Sequence, residues 1–434
     1  MSSEIREAES WLDKGDEYLE EENYTEALDC YTKSINLNPQ ASFAHFKRGN
    51  VLYTMLKYKE AVRDFTNAIN LNPGFSFAHF KRGSAYVDSG KFLQGEEDLT
   101  NAIEINPDFY LAYFKRGIAK YSLKKTVDAL KDLEHSIELN NSYIPTYQQR
   151  GNIYFSQRKY EKAIEDYTMI IKLNPKDPKA YISRGITFGN LKRYKEALND
   201  YTKAIVNDAE SYLAYNYRGL IYSKMKEFDK AILDFEHVIK IKQSFYEAFN
   251  NRGICYYSIK KYEKAIEDYS RAISYNSKNG QFYFNRANAN FKIKDYIASI
   301  GDFGEVIEIN PKHFSAYFGR ANANMSLNRY KESIKDYTRA ISINSKLLQG
   351  YIGRGNAYMK MRYFKKSLED YTLAIEIDPD YAQSYLSRGM AFREQKENDD
   401  AAEDFNDFLR LAPSDPHAER IRNWLNKMEY IAKY

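Results

Sequence analysis

"FAHFKRG" occupies residues 43–49, the same seven letters return at 77–83, and "LAYFKRG" follows at 111–117. An interval of 34 between copies is the length of a structural repeat, and such a period is sought before any domain boundary. Counting in steps of 34 from Gly15 through Gly49, Gly83 and Gly253 to Gly389 gives twelve positions, all Gly except Ala287 and Ala321, with no insertion or deletion. Twelve residues past each of these small residues stands a second one, as Ala61, Ala265 and Ser333. Sixteen past it stands a large ring or Leu, as Phe65, Leu99 and Tyr269. Each unit reads as two helices: His45, Arg48, Gly49 and Leu52 share helical spacing before the turn, and Tyr58, Ala61, Phe65 and Ala68 after it. "LNP" closes the second helix and resets the chain.

The bulk numbers agree with one long array. A chain of 434 residues holds two or three ordinary domains or one extended solenoid. The formal charge is only +4, which gives no electrostatic reason to expect nucleic acid or a membrane surface as partner. Tyr is unusually common at 40 copies and Phe adds 25, so rings rather than branched aliphatics fill the core. Cys30 and Cys255 stand far apart with no metal-type spacing, which argues against a disulfide scaffold and for a reducing compartment. The opening "MSSEIREAES" lacks an apolar signal core, and no window approaches a bilayer span. A cytoplasmic location is expected, with association to cytoskeleton or organelle on the cytosolic side left open.

The pattern resembles the tetratricopeptide repeat. Small residue, aromatic, Ala, aromatic and Pro recur in register over residues 8–415, and the departures are few: Thr126 and Asn398 replace a ring, and Asn141, Ala209, Gln243, Ser277 and Ser345 replace Pro. The resemblance implies an all-α fold, an α-solenoid of twelve helical hairpins in a right-handed superhelix with a concave groove. Residues 1–7 are expected to be a lead and 416–434 a capping helix. In that tail Ser414 or Asp415 caps the helix, and Ile421, Trp424, Leu425, Met428 and Ile431 line one face. A cap over the apolar end of the last repeat is favoured over a docking helix.

Eleven arginines precede the small residues, from Arg48 to Arg388, and only Lys14 departs. Eleven aspartates lie sixteen residues after those arginines, from Asp64 to Asp404, and only Cys30 departs. Each partner lies about 12 Å from the hairpin turn on antiparallel helices, at equal height. The repeat that lacks the Arg also lacks the Asp, so pairing within the repeat is predicted, and the arginine ladder is scaffold rather than a phosphate site.

Specificity should then sit where the repeats differ. On the first helices, a stripe that the resemblance assigns to the groove reads Phe43, Phe46 and Asn50, then Phe77, Phe80 and Ser84, then Leu111, Phe114 and Ile118. Beside it stand Lys47, Lys81 and Lys115, and no other repeat has Lys there. An apolar and cationic stripe predicts a protein partner presenting an extended or helical segment with apolar and acidic side chains. Further along, Asn250, Asn251, Asn285, Asn288, Asn322 and Asn356 are expected to hydrogen-bond a guest backbone. No Lys stands three before any small residue, so recognition of the C-terminal carboxylate of Hsp70/Hsp90-type chaperones is disfavoured. Asn290 and Asn324, in "RANAN" at 286–290 and 320–324, have no account at this level.

No catalytic constellation, metal-ligand spacing or cofactor motif is found. "GSAYVDSGKF" at 83–92 has the wrong spacing for a phosphate loop, and the six His residues do not cluster. A non-enzymatic protein-interaction scaffold or adaptor is expected. A static subunit of a large cytoskeletal, ciliary or organellar assembly remains open, and an RNA-binding repeat protein is disfavoured.

Overall fold

The computed structural model describes residues 3–427, and among these stand 25 helices and no strand. The chain divides into two compact units after Ala209, repeats one to six in the first and seven to twelve with the terminal helix in the second. The first helix runs Ser3–Glu20, so residues 3–7, expected as a lead, are its opening turns. Ala8 there is buried, and its carbonyl accepts from Ser34 Oγ at 2.7 Å. Later repeats pair a first helix of 13 residues with a second of 14, as in Tyr246–Ser258 and Tyr262–Tyr275.

Every hairpin turn is closed the same way. In repeat eight Lys260 takes φ 62°, its N–H donates to the Tyr257 carbonyl, and the next N–H, of Lys261, reaches back to Tyr256. This arrangement satisfies carbonyls that the helix end leaves open. The equivalent residue is left-handed in the other turns as well, and only Gly90 is a glycine.

The small residue and the ring are one device. A Cβ on Gly253 would stand 2.7 Å from Tyr269, and one on Gly49 2.7 Å from Phe65, so the ring lies where a side chain would begin. Ala61 and Ala265 are fully buried beside these contacts. Repeats nine and ten carry Ala287 and Ala321 instead, which denies Phe303 and Tyr337 that seat. Both rings lean toward the following repeat, where Gly319 and Gly353 have no side chain in their way. A Cβ on Gly353 would be 2.5 Å from Tyr337 Cζ, and one on Gly319 would clash with Phe303 as hard. Two otherwise unexplained mid-helix glycines are therefore the complement of two alanines one repeat earlier.

The arginine ladder pairs within repeats as expected. All eleven Arg–Asp contacts are present, at 2.6 to 2.8 Å, with the carboxylates almost fully buried. Nε and Nη2 of Arg48 donate one bond each to the two oxygens of Asp64. The sequence pattern does not show the third arm: Nη1 of Arg48 donates to Thr32 Oγ1 of the preceding repeat, and Arg286 and Arg388 do the same to Ser270 and Thr372. Each guanidinium thus closes its own hairpin, and where the preceding repeat offers a Thr or Ser hydroxyl, as for Arg48, Arg286 and Arg388, it also ties the hairpin to its neighbour. Burial raises the pKa of Asp64 and Asp98, but Arg48 and Arg82, with His45 and His79 behind them, more than reverse this and hold both carboxyls below the usual range. Their pairing therefore stabilises fully above about pH 4 and is lost only as pH falls through the lowered values.

Within each unit the first helix of a repeat packs on its own second helix and, after the unit's opening repeat, on the second helix of the repeat before it. Within each unit some first helices of successive repeats also touch, as Ser42–Thr54 with Ser76–Asp88, while second helices make no comparable approach. The first helices therefore lie on the inner side of the stack. The tail forms a helix over Ala418–Lys427, led by Asp415, whose Oδ1 accepts from His417 N–H at 2.8 Å. Ala418, Ile421 and Leu425 are buried against Phe405, Phe408 and Leu409, and Trp424 meets Phe405 edge-on at 5.2 Å. The helix covers the open side of repeat twelve, as predicted for a cap; Met428 and Ile431 lie outside the described residues.

Gly353→Ala is expected to destabilise the second unit by about 1–3 kcal/mol through overpacking on Tyr337. Adding Ala321→Gly should recover most of that loss; denaturant melts of the four chains measure the coupling, and simple additivity would refute the exchange of seats. Asp370→Ala or Arg354→Leu alone is expected to cost about 3 kcal/mol, because each leaves a desolvated charge, while the double replacement should cost clearly less than the sum.

Candidate functional site

The inner stripe divides once its side chains are placed. Phe46, Phe80 and Phe114, expected to line the groove, are buried at the seams between repeats. Phe46 meets Phe75 of the next repeat at 4.7 Å, Phe80 meets Phe109 at 4.8 Å, and Phe114 meets Tyr143 at 5.3 Å. The reason lies in a ring just ahead of the next first helix, at Phe75, Phe109 and Tyr143, which the stripe alone did not reveal. Phe43 and Phe77 are different, at 48% and 50% exposed. They rest on the same seam rings, Phe43 at 6.4 Å from Phe75 and Phe77 at 4.9 Å from Phe109. Two half-open rings on successive first helices thus have rigid backing.

The three lysines differ in the same way. Lys47 Nζ donates to Asp16 of the preceding repeat at 3.1 Å and lies over the Phe43 ring. Lys115 Nζ donates to Asp88 at 2.9 Å, a carboxylate that also accepts from Tyr53 Oη. Lys81 lies over the Tyr53 ring at 5.4 Å, and among the described residues no carboxylate pairs with it. Burial, and then the neighbouring Lys115 ammonium, lower its pKa. Asn50 Oδ1 and Ser84 Oγ, on this stretch of the stripe, are buried without a hydrogen-bond partner.

The asparagines of the second unit form a chain of bonds. Gln281 donates to Asn285, Asn285 Nδ2 to Asn250 at 2.9 Å, Asn250 to Asn251, and Asn251 to the buried Asn216. Asn322 and Asn356 accept from Tyr337 and Tyr371 at 2.6 and 2.7 Å, as Asn152 does from Tyr167. Burial, with Asp166 next, pushes the Tyr167 hydroxyl up to about 12, so it remains a donor. Asn288 turns back onto the Phe284 carbonyl. An Asx residue one past the small residue and a Tyr sixteen past it is a spacing that the sequence itself displays.

Asn290 and Asn324 belong to the scaffold. Their amides donate to the buried carboxylates of Asp302 and Asp336, at 3.1 and 3.5 Å, adding a donor to the arginine pairs. His45 and His79 are likewise core: Nε2 donates to the carbonyls of Pro39 and Pro73 at 3.3 and 3.1 Å, as Tyr147 Oη does to Asn141. Among the described residues no group of three His, Cys, Asp or Glu side chains stands close enough to hold a metal ion, and no helix is long and apolar enough to cross a membrane.

Comparison with known proteins bears on the scaffold. Family models described as tetratricopeptide repeat match residues 80–139, 144–177, 178–209, 212–245, 246–279, 314–347 and 352–416, and a further TPR repeat model matches 15–55. No curated protein sequence matches the chain. Among solved structures, yeast Tom70 is 18% identical over 97% of this chain and 95% of its own, with a TM-score of 0.37. The APC/C hetero-tetramer Cut9-Hcn1 is 12% identical over 94% of each chain, with a TM-score of 0.42. A tetratricopeptide repeat protein from Parabacteroides merdae is 18% identical over 58% of this chain and 98% of its own, with a TM-score of 0.44. None of the three bears on what this chain binds. On the repeat models and the 34-residue hairpins they span, the chain belongs to the tetratricopeptide repeat family.

Proposed function

We propose that the chain is a non-enzymatic scaffold that holds an apolar and acidic segment of a protein partner against repeats two to four. The observation that carries this reading is the pair Phe43 and Phe77, half-exposed on successive first helices and backed by seam rings. A row of rings in water is unfavourable unless something covers it. Ammonium groups at Lys47, Lys81 and Lys115 flank the row and favour carboxylates in what covers it. The scaffold does not need these residues, since other members of the array carry Asp13, Gln149, Ser183 or Asn251 where the lysines stand. In the second unit the linked amides of Asn250, Asn251 and Asn285, and the free amide hydrogens of Asn322 and Asn356, supply donors and acceptors for a guest backbone.

Cross-linking mass spectrometry of the native complex is expected to place the partner on the first helices of repeats two to four. Phe43→Ala with Phe77→Ala should weaken partner binding by at least about tenfold while changing stability by less than about 0.5 kcal/mol. Lys47→Glu, Lys81→Glu and Lys115→Glu together should abolish binding. A complex that survives the charge reversal unchanged overturns this reading, and affinity that collapses steeply with salt instead points to nucleic acid.

A further inference from the structure

The three lysines occupy one repeat position, yet their surroundings are not equivalent. Lys47 is neutralised by Asp16, 31 residues earlier. Lys115 is neutralised by Asp88, 27 residues earlier. Counting back from Lys81 by the same two intervals gives Asn50 and Thr54, neither of which carries a charge. Asn50 keeps its Oδ1 buried and unpartnered, and Thr54 Oγ1 donates to the Asn50 carbonyl. The one carboxylate nearby on the same element, Asp88, is already shared by Lys115 and Tyr53. Lys81 is therefore a partly buried ammonium whose carboxylate is missing from both places where this array supplies one. It lies on the first helix that carries Phe77, one repeat on from the helix that carries Phe43.

Resting on the groove reading above, we propose that Lys81 receives one Asp or Glu side chain of the partner segment, while Phe43 and Phe77 take apolar side chains of the same segment. Neighbouring helices stand about 8–10 Å apart, the reach of about three residues of extended chain. The guest therefore carries two apolar residues about three apart and an acidic residue near them. A desolvated ammonium without a partner gains more from a carboxylate than a solvated or already paired one. The burial that lowers the Lys81 pKa agrees with this environment.

The test is an array of decapeptides, each with two apolar residues three apart and either Glu or Gln at one position varied along the peptide, probed with the full chain and followed by fluorescence anisotropy. Glu peptides should bind about tenfold tighter than their Gln twins, the worth of one charge-assisted bond. Lys81→Gln should erase that preference without weakening the Gln twins. Asn50→Asp should erase it too, by giving Lys81 the partner that Asp16 gives Lys47, with the lysine itself intact. Lys81→Arg should keep it. Glu and Gln peptides binding equally, in a manner lost in Phe43→Ala/Phe77→Ala, overturns the role of Lys81 and leaves the groove reading standing. Preference retained in Lys81→Gln does the same. No binding from any peptide, or binding indifferent to the two phenylalanines, overturns both.

Discussion

A large side chain, in most repeats a ring, seated against backbone that bears no side chain is the contact on which most hairpins depend. Tyr269 lies over Gly253 and Phe65 over Gly49 so closely that one Cβ would collide with it. Two helices brought this near bury Ala265 and Ala61 completely, and the rest of the hairpin core is drawn in with them. The constraint is strict enough to propagate along the chain. Where Ala287 and Ala321 fill the seat, the displaced rings need Gly319 and Gly353 one repeat later. A residue in one brick is chosen by a residue in another.

The arginines add polarity to that frame without adding function. Each guanidinium spends two donors on its own repeat's carboxylate, and in repeats such as the second and ninth a third on the hydroxyl of the preceding repeat. Buried ion pairs contribute little net stability but are costly to break singly, which suits a device that sets register between hairpins. Asn290, Asn324, His45 and His79 gather around the same carboxylates. Residue types that suggest chemistry are absorbed here by a structural need.

On the proposed reading, binding falls to the small set of inner-face groups that neither device uses. Phe43 and Phe77 are half-open, Lys81 has no carboxylate, and the amides of the second unit are linked to one another but not buried as a group. On that reading specificity comes from these leftovers, since the frame constrains everything else.

The chain order alone determined the repeat, the two helices of each unit, the Arg–Asp pairing within hairpins and the closing helix at the end. These follow from a period of 34 and helical spacing, both of which are local and leave a mark in every copy. Tertiary structure decided which of two phenylalanines a turn apart faces water. Phe43 and Phe46 look alike in the stripe, but Phe46 meets Phe75 of the next repeat and is buried, while Phe43 stays open. It also decided which of three identical lysines is unpaired, because that depends on carboxylates 27 or 31 residues away, on a helix that only packing brings alongside. Periodicity reports what all copies share; exposure and charge balance at a single copy are set by its neighbours across the seam, and those contacts exist only once the bricks are stacked.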